Sequence, residues 1–106
     1  LTPREIIRSR IEAAASGDFV VSFYNPRSRG RDRQLSEARD ILLDHRPPET
    51  PVGVVREAYR PGQEVRLTTL GELRVEDVDM LTVVVVGSSQ TFVRAGRMVT
   101  PRGYEV

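Results

Sequence analysis

Residues 81–89 read Leu-Thr-Val-Val-Val-Val-Gly-Ser-Ser, the most apolar run in the chain. β-Branched side chains favour a pleated surface, and the run falls far short of the ~18 residues of a membrane helix. Leu81 to Val86 therefore reads as a central strand that stops at Gly87-Ser88-Ser89. Downstream, Thr91 to Val99 has the pattern of a hairpin turning at Ala95-Gly96. Upstream, Thr69-Leu70-Gly71-Glu72 is a capping-box pattern that predicts a short acidic helix in the low seventies. Before it, Glu64 to Thr69 alternates, with Val65 and Leu67 on one face, and Pro61-Gly62 marks a turn. Pro51-Val52-Gly53-Val54-Val55 is a second short apolar strand. Its interior Gly53 marks either crowded packing, a bulge, or a place where a ligand approaches the backbone.

The amino-terminal half supplies helices. Thr2-Pro3-Arg4-Glu5 combines a capping residue, a proline at the first helical position and a glutamate at the third. Ile7, Ile11 and Ala14 follow at helical spacing, and Gly17 supplies a stop. Residues 19–24, Phe-Val-Val-Ser-Phe-Tyr, read as a buried strand that ends at Asn25-Pro26. A second helix runs from about Arg31 to His45, with Leu35, Ala38, Ile41 and Leu42 facing inward and Pro47-Pro48 ending it. The order helix, strand, helix, strand, strand, short helix, strand, hairpin predicts an α/β fold. The expected form is a three-layer domain with a mixed, roughly five-stranded sheet flanked by helices. In open α/β sheets, ligands gather at the carboxyl ends of strands.

Composition bounds the chemistry. At 106 residues, 39% hydrophobic and 29% charged, the chain is one ordinary globular domain. With no basic-then-apolar leader it reads as soluble, and the lack of cysteine excludes disulfides and thiolate metal sites. The single His45 leaves no material for a His-rich metal site or a Ser-His triad, so no metal is expected. All 16 basic residues are arginine, yet the net charge is only +1. Four of them, Arg27, Arg29, Arg31 and Arg33, lie in residues 24–34 against Asp32 alone. Such a loop is either a solvated surface or a binder of a polyanion, since guanidinium forks pair with carboxylates and phosphates. Residues 70–80 are acidic and read as a helix surface. Three tyrosines, three phenylalanines and a near-zero net charge argue against nucleic acid as a partner. Phosphate-loop, dinucleotide and metalloprotease motifs are absent, and no nucleophile finds a base.

Three stretches carry a resemblance: FVVSFYNPRSRGR at 19–31, LSEARDILLDHRPPETPVGVVREAYRPGQ at 35–63, and VDMLTVVVVGSSQT followed by MVTPRGY. Together they resemble the carboxyl-terminal domain of the tetrapyrrole methylases, in the branch that methylates C17 of precorrin-3B. The resemblance implies a two-domain, cytoplasmic enzyme of cobalamin biosynthesis that works as a homodimer. S-adenosylmethionine would lie between its domains, as donor of the methyl in a ring contraction to precorrin-4. The amino-terminal domain of the family carries a GxGxGD loop that does not occur in these residues, so the chain looks like the second half of such an enzyme. The resemblance puts cofactor contacts at Tyr24 and Asn25, at Val52 and Gly53 (Gly where the family commonly has Ala), and at Thr82. Arg27, Arg29 and, more weakly, Arg102 are the candidates for the carboxylates of the tetrapyrrole. No catalytic residue is assigned.

Overall fold

The computed structural model describes residues 4–24, 32–74, 76, 78–79 and 81–101. In chain order the elements are α1 (Arg4–Ser16), β1 (Val21–Tyr24), α2 (Asp32–His45), β2 (Pro51–Arg56), β3 (Glu64–Thr69), β4 (Thr82–Val86), β5 (Phe92–Arg94) and β6 (Arg97–Val99). β1 to β4 form a four-stranded sheet in the order β1-β4-β2-β3, and β5 and β6 form a separate hairpin. Every neighbouring pair in the larger sheet is antiparallel.

The α/β class holds, while the sheet departs from the expected mixed arrangement. The β1-α2-β2 crossover does leave β1 and β2 parallel, but β4 inserts between them and runs against both. Among the described residues the helices also cover one face only, so the domain has two layers rather than three. Strand periodicity explains why: successive side chains point to opposite faces. Val52 and Val54 of β2 and Val84 and Val86 of β4 share a core with Ala15 of α1 and Leu35 and Leu42 of α2. Each fully buried valine or leucine there contributes roughly 1.5–3 kcal/mol.

The helices end for local reasons. Phe19 N–H donates to the Ala14 carbonyl at 3.1 Å and Asp18 N–H to that of Ala15 at 3.2 Å, which is a Schellman closure. The left-handed residue of that closure is Asp18, at φ 60°, rather than Gly17. A β-carbon at Gly17 would lie 2.6 Å from the ring of exposed Phe19, which would have to shift to admit it. Arg46, just past α2, is buried and donates to the carbonyls of Gly87 at 2.7 Å, Ala14 at 3.2 Å and Phe19. It ties the end of α1 to the end of β4.

Two further expectations change. β1 is an edge strand and half exposed, with Phe19 and Val20 outside it and largely in solvent. The apolar run 19–24 shows that both faces tolerate apolar side chains, not that both are covered. The short helix of the low seventies is a single turn. Glu72 N–H does reach Thr69 Oγ1 at 3.3 Å, as a capping residue predicts, and Leu73 N–H reaches the Thr69 carbonyl at 3.0 Å. The Leu73 carbonyl then accepts from Arg39 Nη1 at 2.8 Å. The turn is pinned to its surroundings by buried Leu70 and Leu73.

Candidate functional site

The sheet face opposite the helices follows from the same alternation. Tyr24, Val83, Val55 and Val65 stand opposite one another across β1, β4, β2 and β3, and Ser22, Val85, Gly53 and Leu67 form the next row. This face is almost wholly apolar. The β5–β6 hairpin reaches it from one side, with the Met98 sulfur 3.5 Å from where a Gly53 β-carbon would stand. Under the hairpin lies a cavity of about 510 Å³ lined by Gly53, Leu67, Val85, Arg97 and Met98 among others. Beside it a second cavity of about 290 Å³ is lined by Ser22, Tyr24, Val55, Tyr59, Val83 and neighbours. Val55, Val65 and Val85 belong to both, so the two form one shallow trough.

Tyr24 and Gly53 thus share a face, roughly 12 Å apart by strand and residue spacing. Tyr24 is 71% exposed. Val52 points the other way, into the core, and could offer a ligand only its backbone. Thr82 is buried, and its hydroxyl is engaged by Asp79: Thr82 Oγ1 donates to Asp79 Oδ1 at 2.8 Å and accepts from Asp79 N–H at 3.0 Å. Asn25, Arg27, Arg29 and Arg102 lie outside the described residues.

Charge is kept to the rim. Asp79 Oδ2 accepts from Arg56 Nε at 2.8 Å. Bonds from Thr82 and Leu81, with Arg56 adding to them, hold the Asp79 carboxyl below the usual carboxylate range. At the other end of β4, the Ser89 hydroxyl and backbone N–H do the same for Asp18. These carboxylates anchor the ends of β4, and among the described residues Arg97 is the one charged side chain that lines the trough. Sequence reasoning missed Tyr59, Met98 and the odd-numbered valines 55, 83 and 85, and gave the Val65–Leu67 face no role. The period of 2 within two all-apolar strands was the available signal, but it needs the helix-bearing face to be known first.

A family model described as Tetrapyrrole (Corrin/Porphyrin) Methylases matches residues 1–74. Over 105 residues the chain is 55% identical to a Priestia megaterium protein named cobalt-factor III methyltransferase, covering 99% of this chain and 19% of that one. It is 52% identical over 104 residues to a Salmonella typhimurium protein named probable cobalt-factor III C(17)-methyltransferase, covering 98% of this chain and 43% of that one. The solved structure of the methyltransferase CobJ matches the fold with a TM-score of 0.88 at 35% identity, over 94% of this chain and 42% of that one. The chain therefore spans less than half the length of these relatives.

Proposed function

The chain belongs to the tetrapyrrole methylase family, and on that premise we propose that it is the carboxyl-terminal domain of an S-adenosylmethionine-dependent methyltransferase of cobalamin biosynthesis. The reaction is methylation of C17 of a tetrapyrrole at the precorrin-3B level, with ring contraction to the precorrin-4 level. The observation that carries this reading is the 52–55% identity, along nearly the whole chain, to two proteins named as cobalt-factor III methyltransferases, one of them for C(17). Their names favour the cobalt-carrying ring over metal-free precorrin-3B as substrate. A cytoplasmic location, a homodimer and an amino-terminal partner domain belong to the same reading.

The trough suits the donor. Its valine floor and the bare backbone at Gly53 accept a flat, neutral group, and a Gly53 β-carbon would leave ordinary contact distance to Met98. When bound, S-adenosylmethionine supplies a methyl already activated by the sulfonium, so the reaction calls for alignment rather than a protein nucleophile. Tyr24 and Gly53 would fix the donor from one side, with Asn25 and the backbone at Val52 and Thr82 adding contacts at the strand ends. Once the site is closed over it, the apolar floor would help to exclude water from the transfer, which protects the sulfonium and strengthens nearby electrostatics. Arg27, Arg29 and Arg102 would pair with the acetate and propionate groups of the ring.

The test is a single-turnover reaction of the full-length protein with methyl-labelled S-adenosylmethionine and either the cobalt-carrying or the metal-free ring. One added methyl, located at C17 by NMR, is expected. Labelling at another ring position, or no transfer to either ring, overturns the reading.

A further inference from the structure

The β2–β3 connection, residues 57–63, is wound more tightly than joining two strands requires. Glu57 and Tyr59 have φ of 51° and 64°, the left-handed region that residues with a β-carbon avoid. Two successive turns hold the loop, Arg60 N–H to the Glu57 carbonyl and Gln63 N–H to the Arg60 carbonyl, both at 3.0 Å. The Gln63 side chain then braces the strained residue, its Oε1 accepting from Tyr59 N–H at 2.8 Å. All this presents a tyrosine that packs on nothing: Tyr59 is 101% exposed. Strain of this kind persists where the surroundings over-determine it, and it clusters at ligand clamps.

Tyr59 nevertheless borders the 290 Å³ cavity, across from Tyr24 and above Val55, Val83 and Val85. Among the described residues, no charged side chain lines that cavity. The described walls offer a polycarboxylate ring no cationic partner, and this end of the trough has a volume at the lower limit of the ~300–1,000 Å³ of small-molecule sites. A neutral nucleobase meets both restrictions. Aromatic rings supply a flat wall for it, and the Gln63 amide nitrogen remains to donate to a ring nitrogen, since its oxygen is spent on Tyr59. Resting on the methyltransferase reading, we propose that Tyr59, held by the strained loop and the Gln63 brace, is the aromatic wall that positions the adenine of the methyl donor in this smaller cavity.

The experiment compares wild-type full-length protein with Tyr59→Phe, Tyr59→Ala and Gln63→Ala, titrating S-adenosylmethionine and the tetrapyrrole separately by calorimetry. Tyr59→Phe should keep donor affinity, and Tyr59→Ala should weaken it roughly tenfold without lowering the melting temperature. Gln63→Ala should weaken donor binding while leaving the ring affinity unchanged. Donor affinity unaffected by Tyr59→Ala, with a wild type that binds normally, overturns the proposal alone. A loss of tetrapyrrole rather than donor affinity assigns the cavity to the ring and overturns it too. A wild type that binds no methyl donor overturns the functional reading and the proposal with it.

Discussion

Gly53 and Arg46 are the residues at which single atoms decide most. At Gly53 the missing side chain keeps open the larger cavity, where the first atom a β-carbon would meet is Met98 sulfur at 3.5 Å. A β-carbon fits at ordinary contact distance, and a longer side chain would project into the space proposed for the ligand. Gly53→Leu in the full-length protein should raise the Michaelis constant for S-adenosylmethionine by about tenfold or more, the scale of 1.4 kcal/mol, and spare the melting temperature. Steady-state kinetics and a thermal melt read both, and a destabilised protein with normal donor affinity would make Gly53 a packing residue only. Arg46 works in the opposite sense. The residue is buried at 5% exposure, and burial pulls its pKa below the ordinary arginine value while Asp18 opposes the shift. Bonds from a charged donor contribute roughly 1.5–3 kcal/mol each, so Arg46→Met, which strips three carbonyls of their donor, should cost on the order of 3 kcal/mol in urea denaturation. Neither role was legible in full: Gly53 stood out because glycine is unusual inside a strand, whereas Arg46 is one arginine among 16. Only the fold brings the carbonyls of residues 14, 19 and 87 to one point.

Strands and turns show where local signals suffice. The β5–β6 turn falls at Ala95-Gly96 as the sequence indicates, with φ of 52° and 72°, because a two-residue hairpin turn demands the left-handed region at both positions. β3 likewise keeps its expected limits, Glu64–Thr69. Strand direction is a different matter, since nothing in the run 82–86 tells whether β4 joins an edge or separates β1 from β2. The start of β4 is secured by Asp79, whose carboxylate accepts from Leu81 N–H at 2.8 Å and from the Thr82 hydroxyl. Because its folded pKa is depressed, chiefly by Thr82, this contribution is complete above the unfolded value of about 3.9 and fades as pH falls through the folded one. Melting curves should therefore show Asp79→Ala less stable than wild type near neutrality and the two converging in acid. A gap that persists unchanged at low pH would mean that the carboxylate's charge is irrelevant to the β4 start.

On the scale of the molecule, the two faces of the sheet divide the labour. The helix-bearing face holds the domain together, and the other offers an apolar trough that the β5–β6 hairpin only partly covers. A small-molecule site normally encloses most of its ligand, and this trough is one wall. Residues 1–106 alone should consequently bind S-adenosylmethionine far more weakly than the full-length protein, and submicromolar calorimetric binding to them would defeat that view. The valines themselves allow the most direct measurement, because neighbours in β4 report opposite faces. With methyl-labelled valine in the full-length protein, added S-adenosylmethionine should shift the NMR signals of Val55, Val65, Val83 and Val85. Those of Val52, Val54, Val84 and Val86 should stay in place. Shifts confined to the second set, or none in the first at saturating donor, would contradict the assignment of the open sheet face to the methyl donor.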